Sequence, residues 1–375
     1  MTAPAKTHIS YLDSIRGLAA LSVIIEHFII AYDLPCQGAV CMKLLDSPPF
    51  NIWWNGSAAV SMFFVLSGLV LSLKYFRESQ TPDLQNFKLR DFIITRLARI
   101  WLPYLAVFLI SSILYLITVQ HPPLATQLPA SDWVELMWRG HPLSLTDMLR
   151  ESFLLKLPDQ VVVIPQAWTL TIELVLSLLL PAGLVLAARR IEWLIVFTLF
   201  AVIFLNVSLF LLHFLLGLLI ARYYNYLSVL LSAKVGLRRL ILLVGFSLYA
   251  TSTTLDDFLG ETGLWLSSGI GAGLMLIAAL GSIRIQQVLS LPILRQLGKL
   301  SYSAYLIHMV ILICLTPYLL LALQTITSNH FLLWLGGISL TIFIVQGLSL
   351  LSFNYLEQPS VALGKRVTKL FQSKR

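Results

Sequence analysis

"LDSIRGLAALSVIIEHFIIAY", residues 12–32, decides the fold. A run of this length dominated by Leu, Ile, Val, Ala and Phe crosses a bilayer as a helix, which takes about 20 apolar residues. Three of its side chains do not suit hydrocarbon: Arg16, Glu26 and His27. An ionisable group at mid-bilayer costs roughly 2.5–3.5 kcal/mol on insertion scales, so such residues mark a function or a specific pairing. Arg16 and His27 are separated by about 20° beyond three full helical turns, so they share a face. At 1.5 Å rise they lie about 16 Å apart along the axis, too far to bond each other. Whatever serves both is long. Glu26 sits about 100° off that face.

The remaining sequence extends this reading. The chain has 375 residues, 58% hydrophobic and 12% charged, with mean hydropathy +0.83. Soluble domains carry about 25% charged residues, because their surfaces face water. The expectation is an all-α, polytopic integral membrane protein. Apolar runs predict about ten transmembrane helices, near 12–32, 55–74, 99–119, 167–188, 192–207, 208–222, 238–255, 263–283, 300–324 and 331–354. The N-terminus lacks the pattern of a cleaved signal peptide, so the first run is expected to remain as an anchor. With the N-terminus inside, 22 of the 26 Lys and Arg fall on inner segments or inner span ends. The net charge of +8 is therefore read as positive-inside bias, with both termini cytoplasmic, and not as a nucleic-acid footprint.

Residues 1–375 read as a single transmembrane domain, with an outer-face loop at 120–166 and a basic cytoplasmic tail at 360–375 suited to anionic headgroups. Within the loop, "LTDMLRESFLLKL" predicts a short helix on the outer surface, capped by Thr146. Cys36 and Cys41 share a short outer loop and are either a local disulfide or two unpaired residues.

Several polar residues recur at membrane depth. In "QAWTLTIELVLSLLLP", Trp168 is placed at the outer interface and Glu173 about 9 Å below Ala167, near the depth of His27. A carboxylate and an imidazole at matched depth can pair, for catalysis or simply to hold two helices together. "RDFIITRLARIWLPY" places Arg96 and Arg99 at i and i+3, either snorkelling at the inner surface or forming a guanidinium pair for phosphate, with Arg90 close by. "LGKLSYSAYLIHMVILI" puts Tyr305 and His308 on one face, in the inner half of the membrane, and "LLHFLLG" carries His213. No His, Cys or carboxylate cluster has metal-ligand spacing, and there is no Walker loop, dinucleotide fingerprint or Gly-x-Ser-x-Gly elbow.

The chain resembles the membrane-bound acyltransferase 3 family of bacterial carbohydrate O-acyltransferases. The matching pieces, in family order, are "YLDSIRGLAALSVIIEHF", "SMFFVLSGLVL", "RLARIWLPY", "QAWTLTIELVLSLLLP", "LGKLSYSAYLIH" and "YLEQP". The resemblance implies transfer of an acyl group, typically acetyl, from cytoplasmic acyl-CoA to a carbohydrate or glycoside hydroxyl at the outer face of a bacterial inner membrane. Acyl-CoA enters as a donor substrate, with no permanently bound cofactor and no metal. By position, His27 is similar to the catalytic histidine, with Arg16 its motif partner and Glu173 a further catalytic-site residue. Arg96 and Arg99, with Arg16, are similar to the coenzyme A site, and Trp168, Tyr305 and His308 are expected to contact substrate. Glu26 departs from the family pattern, as does the absence of an aromatic residue after Glu173. The rival class is a proton-coupled secondary transporter using His27, Glu173 and Arg16 as a relay. It is disfavoured because neither inverted repeats nor paired broken helices are visible in the sequence.

Overall fold

The computed structural model describes residues 9–32, 47–76, 79–120, 133, 138, 143–156 and 162–373. Cys36 and Cys41 lie outside the described residues, as does much of the 120–166 loop. Regular structure among those described is entirely helical. In chain order the helices are α1 (Ser10–Tyr32), α2 (Gly56–Leu73), α3 (Leu89–Gln120), α4 (Leu145–Ser152) and α5 (Trp168–Arg189). Next come α6 (Ile191–Phe204), α7 (Phe210–Arg222), α8 (Tyr224–Ala233), α9 (Val235–Ala250) and α10 (Ser252–Leu280). The last are α11 (Ile283–Leu289), α12 (Pro292–Cys314), α13 (Thr316–Gln324), α14 (His330–Ser352) and α15 (Gln358–Ser373).

Seven helices are long and apolar enough to cross a membrane, and α7 with α8, bent by 72°, makes an eighth if the pair is one span. The protein is a polytopic membrane protein, with seven to eight spans by that measure among the described residues against the ten apolar runs expected. The shortfall lies in the middle of the chain, where α6, α7 and α9 have 14, 13 and 16 residues. At 1.5 Å per residue these reach about 20–24 Å, less than the roughly 30 Å of hydrocarbon. The run expected at 300–324 also divides, α12 starting at Pro292 and ending at Cys314, with α13 separate. The outward face of α6 carries Trp193, Phe197, Phe200 and Phe204, all exposed and stacked in two pairs, as suits a lipid-facing helix.

Lipid gives helices no hydrophobic reason to associate, so membrane helices pack through small residues that let backbones approach closely. Gly17 of α1 and Gly298 of α12 face each other so tightly that a Cβ on either would fall on the other helix's backbone. Gly68 and Gly217 do the same for α2 and α7. The α1–α12 contact has a regular register: Gly17 meets Gly298, and 281 residues also separate His27 from its partner His308. The two helices therefore run parallel. His308 lies at the level of His27, in the distal part of α12, and not in the half where Arg16 sits.

The short helix α4 forms as expected, but its cap is Ser144, whose Oγ accepts from the Asp147 N–H and donates to the Asp147 carboxylate. Thr146 is instead inside the helix. Of its residues Glu151 and Ser152 are buried while Leu145 and Leu149 are exposed, and Trp101 Nε1 and Tyr104 Oη in the first half of α3 donate to the Ser152 and Glu151 carbonyls at 2.9 and 2.8 Å. The Glu151 carboxylate accepts from the backbone N–H groups of Val162, Val163 and Ile164, fixing the strand of chain that leads into α5. Burial pushes its pKa up, against the pull of those donors.

Candidate active site

Two layers of polar groups are stacked along the α1–α12 seam. The first is a cavity of about 800 Å³ between α1, α2, α3, α5, α12 and α15. Its walls carry Arg16, Arg96, Arg99, Arg295, Lys299 and Lys365 against only Asp13, Glu173 and Glu357. Such an excess of cations in a partly apolar cleft suits an elongated polyanion. Arg16 holds Asp13 at 3.2 Å, one turn earlier on α1. Arg96 and Arg99 both face this space because they are one turn apart on α3. Arg90 does not join them; it bonds Asp91 and lies over the Phe371 ring.

Glu357 reaches the cavity from an unusual backbone. Residues Phe353–Glu357 form a π-helical turn between α14 and α15. One extra residue per turn rotates the following side chains, and such turns recur at functional sites. Here Phe353 and Glu357 both line the cavity, and Glu357 accepts from Ser303 Oγ at 2.9 Å. The sequence motifs do not single out Glu357, Arg295, Lys299 or Lys365 as site residues. The three cations read only as inner-side charge, and a π-turn leaves no periodic signal.

At the end nearest His308 the cavity is lined by Tyr305, Phe63 and Thr169. Tyr305 Oη hydrogen-bonds Thr169 Oγ1 at 2.7 Å, and its ring meets Phe63 edge-on at 5.7 Å. The second layer begins one turn further along α12. His308 is fully buried, its Nε2 2.8 Å from His27 Nδ1 and the two rings nearly parallel. His27 is half-buried and also stacks on Trp133 at 5.6 Å.

The pairing of His27 with Glu173 is not what forms. Glu173 is in the lower layer, where it accepts from Ser67 Oγ at 3.1 Å. The reason is the depth at which α5 begins. Gln166, in the 3-10 turn Pro165–Ala167, donates to the carbonyls of Tyr305 and Leu306 at 2.9 Å each. The helix thus starts at the level of Tyr305, already below His308, and Glu173 projects further down. Trp168, the first residue of α5, starts at that same level. It packs on Phe210 of α7 and lines no part of the cavity. His213 is bonded to the Trp265 carbonyl in a separate polar seam, where Ser61 and Ser268 also meet. Glu26 turns away from His27 to accept the N–H of Gly56, the first residue of α2, at 2.8 Å.

A family model described as an acyltransferase domain (Acyl_transf_3) matches residues 9–351. The chain belongs to the acyltransferase 3 family. No curated protein and no solved structure matches it. The match runs from the start of α1 almost to the end of α14, so both layers of this membrane acyltransferase fall within it, except for the cavity wall added by the π-turn and α15.

Proposed function

We propose that the protein moves an acyl group, in the first instance acetyl, from cytoplasmic acyl-CoA to a hydroxyl of a surface or exported carbohydrate at the outer face of a bacterial inner membrane. The observation that carries this reading is the basic cavity that ends one helical turn from the His27–His308 pair. From Arg295 to Tyr305 the cavity wall rises about 15 Å along α12, a length suited to an extended thioester arm rather than to a compact substrate. The inner-side bias of Lys and Arg supports cytoplasmic termini, and on that orientation the basic mouth faces the coenzyme A side.

In this mechanism Arg96, Arg99 and Arg16 hold the donor phosphates, with Arg295, Lys299 and Lys365 at the mouth. The thioester passes the Tyr305–Phe63–Thr169 constriction toward His27. The acceptor hydroxyl oxygen attacks the thioester carbonyl carbon while His27 takes the hydroxyl proton. The tetrahedral intermediate collapses, the C–S bond breaks, and the proton returns to the leaving sulfur, giving an ester and free coenzyme A thiol. Trp133, stacked on His27, is positioned to face the acceptor ring.

The test is release of coenzyme A thiol by purified protein in lipid, together with acylation of the cell's own glycans. His27→Ala is expected to abolish both, by the roughly 10²–10⁴-fold that a general base supplies, while the protein still inserts. Full transfer by a well-expressed His27→Ala protein overturns the assignment.

A further inference from the structure

The histidine pair has a direction. His308 Nδ1 is 2.8 Å from the carbonyl oxygen of Tyr305, one turn back on its own helix. A carbonyl only accepts, so the proton of that bond is on His308 Nδ1. Among the described residues neither imidazole is hydrogen-bonded to a carboxylate, and His308 is fully enclosed, so the neutral ring is the one that fits. A neutral His308 with Nδ1–H has its lone pair on Nε2. That lone pair faces His27 Nδ1 at 2.8 Å, and so the proton between the rings belongs to His27. His27 in turn is left with Nδ1–H and an unprotonated Nε2, to which no described residue hydrogen-bonds.

We infer that His308 is a positioning residue that fixes His27 as the Nδ1–H tautomer and thereby makes Nε2 the basic nitrogen. This rests on the reading of His27 as the base. The relay runs from the Tyr305 carbonyl through His308 to His27 and does for this imidazole what a buried carboxylate does in a Ser-His-Asp triad: it selects tautomer and ring orientation. Unlike a carboxylate, the second imidazole brings no charge into the membrane. The Tyr305 carbonyl is itself held by Gln166 Nε2 at 2.9 Å, so the start of α5 anchors the relay. His308 is therefore assigned a part in orienting the base and none in contacting substrate.

The experiment is nitrogen NMR of the full-length protein in lipid nanodiscs, with ¹⁵N-labelled histidine and the His27 signals identified by their loss in His27→Gln. Wild-type protein is expected to show a pyrrole-type Nδ1 and a pyridine-type Nε2 for His27, and the reverse pattern overturns the inference. His308→Ala is expected to shift His27 toward the Nε2–H form and to lower kcat at least about tenfold, with KM for acetyl-CoA changed less than about twofold. His308→Gln places an amide oxygen where Nε2 stood and is expected to restore both the tautomer and most of kcat. An unshifted His27 spectrum in a folded His308→Ala protein also overturns the inference. Because the spectra do not depend on turnover, they separate this inference from the catalytic reading. Full activity in His27→Ala removes the base but leaves the tautomer assignment to be decided by NMR.

Discussion

Neutralising Arg96 and Arg99 is the sharpest test of the lower layer. Arg96 is 7% exposed and Arg99 opens into the cavity, one turn apart on α3, and Glu173 of α5 lines the same cavity. A hydrogen bond from a charged donor contributes about 1.5–3 kcal/mol. If each guanidinium holds a phosphate, Arg96→Gln or Arg99→Gln is expected to raise the KM for acyl-CoA roughly 10- to 150-fold. The acceptor's KM is expected to stay within about twofold, because on this reading the donor reaches His27 through the basic cavity and the acceptor from the opposite side. Arg90→Gln is the internal control. It lies only a few residues earlier on α3, yet its side chain is committed to Asp91 and to the face of Phe371 outside the cavity. Its donor KM is expected not to move. The assay is thiol release against acyl-CoA concentration at fixed ionic strength, with the variants matched for folded protein in nanodiscs. An unchanged donor KM in a folded Arg96→Gln/Arg99→Gln protein would return both arginines to the role of inner-surface anchors and refute the phosphate site.

Gly298→Ala is expected to destabilise the protein by about 1–3 kcal/mol or more, since the new methyl meets the Asp13–Ser14 backbone. Gly347→Ala, where nothing lies within 4 Å, is expected to be neutral or stabilising by up to about 1 kcal/mol; thermal unfolding in detergent distinguishes them. Glu26→Gln keeps an acceptor for the Gly56 N–H and is expected to retain transfer, while Glu26→Ala loses the α1–α2 tie and lowers the unfolding temperature. The Asp147 pKa is lowered by the Ser144 hydroxyl and by Lys156. Its contribution to stability is therefore present above pH 3.8 and lost as pH falls through the lower folded value. The difference in melting between wild type and Asp147→Asn is expected to vanish in that acid range.

Much of this protein is legible residue by residue. Hydropathy alone identifies the membrane class, because a chain with 12% charged residues cannot solvate a globule. Helical periodicity puts Arg16 and His27 on one face of α1, and the same rule puts Arg96 and Arg99 on one wall of the cavity. These are local properties, fixed by a 1.5 Å rise and 100° per residue along one helix. Depth and partnership between helices are not local. Counting residues from a membrane edge puts Glu173 at the depth of His27, but Gln166 hooks the start of α5 onto the Tyr305 and Leu306 carbonyls and lowers the whole helix. The apolar run alone puts His308 near the start of its helix, whereas α12 begins at Pro292, eight residues earlier, and the Gly17–Gly298 contact sets His308 level with His27. Glu357 enters the cavity through a π-turn that no pattern announces. The sequence by itself determines which side chains are available and which share a helix face, since both follow from covalent spacing. Only the tertiary structure decides that imidazole meets imidazole and that Glu173 faces the arginine-lined cavity instead, because helix offsets are set by backbone close contacts and buried hydrogen bonds between residues far apart in the chain.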